Sequence, residues 1–154
     1  MIGCSFPPRA GLLASIQVSR PQFPSDTAFL FDLFVIEGMQ REDLKQRTFR
    51  FPQEVRRFIK RIPRTTGNVE DCRQLVRSSG SVGANYLEGD NALSQKDSLM
   101  RIRICLKESR ESEYWLRLLD LDQGSQLDVS RERLVQESDE LARIFATISR
   151  KLDL

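Results

Sequence analysis

The chain has no histidine among its 154 residues. That absence removes imidazole acid–base catalysis, His-containing triads and most zinc sites at once. Cysteine is scarce: Cys4, Cys72 and Cys105 are far apart, odd in number and lack metal-ligand spacing. No metal, cofactor or enzymatic activity is therefore expected. No apolar run reaches the length of a membrane span, so no membrane role is expected either. The apolar stretch AFLFDLFVIEG has no basic segment before it, and prolines punctuate the region, which fits a signal peptide poorly.

What is present is ordinary in amount and uneven in placement. Hydrophobic residues make up 40% and charged residues 30%, enough for one core in one domain. Residues 1–38 hold four of the six prolines and show no sustained periodicity. They read as a poorly ordered N-terminal extension to a helical domain over residues 39–154. Net charge is only +2, yet residues 39–64 carry nine Lys or Arg against three Asp or Glu, while residues 65–154 carry thirteen against sixteen. One end of the folded part is basic. Cys72 and Cys105 fall on apolar helical faces, so buried, reduced thiols and a cytoplasmic compartment are expected.

Four helical segments follow from apolar periodicity. The first runs from about Thr48 to Ile62, with Phe51, Val55, Phe58, Ile59 and Ile62 on one stripe. Pro52 is placed in its first turn, where a missing N–H costs little, and residues 41–47 form a separate lead-in. The second spans about Asn68 to Glu88, with a seam of Val69, Cys72, Val76, Ser79, Gly83 and Tyr86. The third opens on the capping-box-like Ser94 and Asp97 and ends near Leu121. Its stripe is Leu99, Ile102, Leu106, Ser109, Glu113 and Leu116, widened by Met100, Ile104 and Trp115, which suggests burial between subunits. The fourth runs from about Ser130 to Leu152, with Leu134, Ser138, Leu141, Phe145, Ile148 and Leu152 in heptad-like steps. Short connections favour an all-α, antiparallel up-down-up-down four-helix bundle.

Three segments carry a resemblance: DLKQRT, QLVRSSGSVGANYLEG and LKESRESEYWLRLL. They resemble the bacterial four-helix bundle family named after a protein encoded in the intervening sequence of 23S rRNA genes. That family is related to the accessory variability protein of diversity-generating retroelements. The resemblance covers about residues 42–152. It implies an antiparallel bundle assembled as a homopentameric ring with a central channel. In retroelement members it further implies a basic scaffold for a reverse transcriptase and nucleic acid. This chain looks like a stand-alone member, for which a reverse transcriptase partner is expected only in a retroelement context. At LEGDNALSQKD it departs from relatives that carry more Arg or Lys, which thins the basic surface after the second helix. Relatives begin near a segment like MQREDLKQRT, making Met39 an alternative start. A full-length intact mass of the native protein would sink that expectation.

Three residue sets stand out. Arg47, Arg50, Arg56, Arg57, Lys60, Arg61 and Arg64 make the first helix basic. They read either as a surface that attracts RNA or DNA phosphates or as a solvated face balancing the acidic remainder. Arg77, Ser78, Asn85, Glu88, Glu108 and Glu113 are polar positions of the family motif. They read as hydrogen-bonded structural groups, with Arg77 paired to Glu108 or Glu113, or else as a polar site at the channel. Gly80, Gly83 and Ala84, with Ser78, Ser79 and Ser81, form a small-residue patch suited to close helix packing. A phosphate-cradling loop would need a preceding strand, which is not expected. The expected function is a non-catalytic oligomeric scaffold binding nucleic acid, or alternatively a ring for protein contacts alone.

Overall fold

The computed structural model describes residues 41–153 and contains four α-helices: α1 (Arg41–Ile59), α2 (Thr66–Asp90), α3 (Gln95–Leu118) and α4 (Gln126–Leu152). The expected extension over residues 1–38 lies outside the described residues. Each helix packs on the next and α1 closes against α4, so the helices form the expected antiparallel bundle. Among the described residues there is no strand, and no helix is long and apolar enough to cross a membrane.

Serine and threonine hydroxyls start three of the helices. Thr65 accepts from Asn68 N at 3.2 Å, Ser94 from Asp97 N at 3.2 Å and Ser125 from Asp128 N at 3.1 Å. Each such cap is worth about 1 kcal/mol. Ser125, at the end of a turn where Gly124 takes a positive φ of 73°, starts α4 earlier than the expected Ser130.

The first helix differs most from expectation. It is one helix from Arg41, so Pro52 sits in its interior rather than in its first turn, and it ends at Ile59 rather than Ile62. Burial of Leu44 and Thr48 ahead of Phe51, Val55 and Phe58 extends the core stripe back through the supposed lead-in. Pro52 has no N–H to give the Thr48 carbonyl. That carbonyl instead faces α2 at Gly83, where an added Cβ would lie 2.8 Å from the oxygen.

The inward seams of α2 and α3 are rotated from the expected ones. On α2 the buried positions are Asn68, Leu75, Ser78, Ser79, Val82, Tyr86 and Gly89. On α3 they are Ser98, Ile102, Cys105, Ser109, Ser112 and Leu116, with Leu99, Leu106 and Trp115 only partly buried on the flanks. Small residues occupy the centre because α3 is pressed between two neighbours. Ser112 donates to the Ser78 hydroxyl at 2.9 Å, Cys105 to the Val82 carbonyl at 3.4 Å, and Ser138 of α4 to the Ser109 carbonyl at 2.7 Å. On α4 all six positions of the expected heptad seam are buried.

Candidate functional site

Two faces of α2 explain the surface that follows. One face meets α3; the other carries Val69, Cys72, Val76, Gly80 and Gly83 toward α1. Because α1 ends at Ile59, only residues 60–65 cover the first turns of this second face. A cleft of about 780 Å³ remains there. Its apolar part includes Ile59, Ile62, Val69, Cys72 and Val76, and Lys60, Arg64, Arg73 and Arg77 also line it. Among the described residues, no carboxylate lines it.

Six of the seven basic residues read from the first helix form one exposed set. Arg50, Arg56, Arg57, Lys60, Arg61 and Arg64 are exposed, and none has a carboxylate within 4 Å among the described residues. Arg56 also donates to the Pro52 carbonyl at 3.0 Å and lies over Gly80. Arg47 departs from the set. Its guanidinium grips Glu137 at 2.9 and 2.7 Å and Glu140 at 2.8 Å, joining α1 to α4. The hydrogen bond to Glu137, over the opposing effect of burial, holds its pKa above the ordinary value. Arg47 is therefore a structural cation and not a free one. Replacing it with Ala should destabilise the bundle by about 1–2 kcal/mol, allowing for partial solvent screening, and Lys should recover only part. Urea unfolding reads this, and an unchanged midpoint for Arg47→Ala would overturn it.

The polar motif divides among several places. Arg77 is exposed on the cleft, and no ion pair joins it to Glu108 or Glu113 among the described residues, which corrects the expected pairing. Glu113 instead pairs with Arg117 one turn along at 2.9 Å, and Glu108 lies 3.8 Å from Lys107. Burial, with the neighbouring Glu111 charge, raises the Glu108 pKa, and Arg77 is near enough to oppose that shift. The charged link between α2 and α3 is made by Arg101, a residue the sequence reading missed. It contacts Glu88 and donates to Asn85 at 3.3 Å. An i,i+4 relation to Asp97 was the available signal, since both stand on the inner flank of α3. Ser78 is buried against Ser112.

The small-residue patch serves two neighbours: Ser78 and Ser79 lie in the α2–α3 seam, Gly80 and Gly83 face α1, and Ala84 is exposed. Cys105 is buried, and burial pushes its thiol up to about 12. Cys72 is half-buried, less covered than its apolar face implied, and desolvation raises its thiol too. No cluster of three metal-ligating side chains occurs among the described residues.

Beside the cleft, Lys45, Phe49, Pro52, Gly83 and Leu87 help line a second, apolar groove of about 490 Å³ between α1 and α2. Phe49 and Leu87 are more than half exposed there.

No curated protein is detectably similar to the chain. Among solved structures it is similar to a protein of unknown function from the S23 ribosomal protein family of Bacteroides thetaiotaomicron VPI-5482. The match has 26% identity and a TM-score of 0.60, and covers 70% of this chain and 95% of that one. A family profile described as 23S rRNA-intervening sequence protein matches residues 40–147, which spans all four helices to within a turn or two of each end. The chain belongs to the 23S rRNA-intervening sequence protein family.

Proposed function

We propose that this protein is a non-catalytic, homo-oligomeric scaffold that binds the backbone of RNA or DNA through α1 and the turn after it. The carrying observation is the state of the cations. Arg50, Arg57, Lys60, Arg61 and Arg64 follow one another, exposed and without carboxylate partners among the described residues, whereas on α3 and α4 the unpaired Lys96, Arg110 and Arg133 are interspersed with the paired Arg101, Arg103, Arg117, Arg131 and Arg143. Unpaired cations gathered on one edge offer phosphates a surface that need not first break ion pairs. Repetition of that edge around a ring, pentameric by family likeness, would multiply the field. The exposed Phe49 and Leu87 beside an apolar groove support self-assembly, and they also favour the second reading, a ring for protein contacts alone.

A salt titration of RNA and DNA binding, with oligomer mass followed in the same buffers, tests the proposal. Changing Arg50, Arg57, Lys60 and Arg61 to Glu leaves Arg56 its bond to Pro52. The variant should remain assembled, lose at least about 100-fold in affinity, and flatten the slope of log affinity against log salt by about 3. Absence of binding at low salt by an assembled wild-type protein would overturn the nucleic-acid reading and favour protein partners.

A further inference from the structure

We infer that the cleft at the α1–α2 turn takes an unpaired nucleotide, seating its base on the apolar face of α2 and its phosphate among Lys60, Arg64, Arg73 and Arg77. The inference rests on the backbone-binding reading and adds to it a preference for single strands. Three observations carry it. The first is charge: four cations, two from the turn after α1 and two from α2, meet at one opening that no carboxylate among the described residues lines. Arg73 is bonded to Glu70 at 2.8 Å, but both side chains are more than half exposed, and such a pair is worth little and yields readily to a phosphate. Arg77 feels the Glu108 charge without being bonded to it.

The second observation is the floor. Val69, Cys72 and Val76 stand on a face of α2 that α1 is too short to cover, leaving an apolar wall beside the cations. A phosphate alone would have no use for that wall, and an apolar ligand alone would have no use for four cations. A nucleotide has both parts. Among the described residues no aromatic side chain lines the cleft, so the base would pack on aliphatic groups and guanidinium planes. The third observation is polar and spatial. Gln74 lines the cleft, is only half-buried, and its amide makes no hydrogen bond among the described residues. It can donate to and accept from a base edge. The volume of about 780 Å³ lies within the range of roughly 300–1,000 Å³ usual for small-ligand clefts. Bases inside a duplex are stacked and cannot reach such a wall, whereas those of a single strand can splay into it.

The test uses the full chain in its native assembly, with four probes: an oligouridylate of about ten nucleotides, the same strand without bases, an RNA duplex of equal length, and uridine monophosphate. The single strand should bind about tenfold tighter than the abasic strand and the duplex, although the duplex carries more charge. Val76→Gln replaces part of the apolar wall with an amide, without adding charge or a ring on which bases could stack, and should remove most of that tenfold advantage while leaving duplex affinity within about twofold. Arg77→Ala should weaken the single strand more than the duplex, and it guards against misfolding of the Gln variant because Arg77 is exposed. Monophosphate binding that Val76→Gln abolishes, at an affinity equal to that of the strand, would confirm the site and make a free nucleotide its source. Equal binding of intact, abasic and duplex probes would overturn the inference and leave backbone binding standing. Failure of every nucleic acid to bind would overturn both.

Discussion

Leucine in place of Gly83 should lower the melting temperature by about 10 °C or prevent folding outright, because it would force α1 and α2 apart at their closest crossing. A Cβ there meets the Thr48 carbonyl oxygen at 2.8 Å and the Thr48 carbonyl carbon at 3.6 Å. The obstruction is backbone, so no rotamer change relieves it, and overpacking of this kind costs roughly 1–3 kcal/mol or more. The crossing also serves Pro52, whose ring lacks the N–H that would otherwise bond the Thr48 carbonyl. Glycine opposite leaves that carbonyl the room it needs. Gly80, one turn earlier, is the internal control. Its Cβ would meet only the Arg56 guanidinium at 3.5 Å, an ordinary contact. Gly80→Ala should therefore stabilise the helix by about 0.5–1 kcal/mol. Thermal unfolding of the two variants reads the contrast. Equal melting temperatures for Gly83→Leu and wild type would refute close backbone packing at this crossing.

The second large effect is expected at Asn68, which ties together the two loops at the same end of the bundle. Its side chain is buried, at 1% exposure. Nδ2 donates to the Pro63 carbonyl at 3.0 Å and the Asp120 carbonyl at 3.1 Å, while Oδ1 accepts from Asp120 N at 2.9 Å. Asn68→Asp keeps the shape and the acceptor but points carboxylate oxygen at two carbonyls. A buried carboxylate without an opposite charge, and with a donor for only one of its two oxygens, costs up to about 3–5 kcal/mol. Asn68→Ala, which only strands three backbone groups, should cost less, about 2–3 kcal/mol. The pH dependence has a definite sign. Burial beside two carbonyls raises the folded-state pKa of the introduced carboxyl above its unfolded value near 3.9, so the penalty belongs to the ionised form. It should be full at neutral pH and shrink as pH falls through the raised folded-state value. Urea unfolding at pH 7 and pH 5 measures both parts. A deficit that is the same at the two pH values would show that the second carboxylate oxygen had found a donor or water.

Particular residues show where periodicity succeeds and where it stops. The α4 seam was legible in full because large apolar residues recur there in strict three- and four-residue steps with one serine between. Ser94 was legible as a cap because its hydroxyl acts within its own turn. The seams of α2 and α3 were misplaced by about one position, with Val76 and Leu99 chosen over Leu75 and Ser98. Each of these helices has two neighbours, and on α3 the larger Leu99, Leu106 and Trp115 fill the flanks while serines and Cys105 hold the centre. A hydrophobicity pattern weighs size and cannot tell which neighbour a residue will meet. Arg47 looked like its basic companions until α4 brought Glu137 and Glu140 to it across some ninety positions of chain.

Alone, the sequence determined four amphipathic helices, the polar turns between them, the basic bias of the first helix and the exclusion of imidazole chemistry. All of these are local: they depend on composition and on spacings of three or four residues. The tertiary structure decided that α1 runs through Pro52, that Gly83 rather than its serine neighbours takes the backbone crossing, that Arg47 is bound and Arg77 exposed, and that a cleft opens where α1 stops short of α2. These outcomes depend on which surfaces of distant segments come within a few ångströms of each other. Packing sets that distance, and no single helix carries the information to set it.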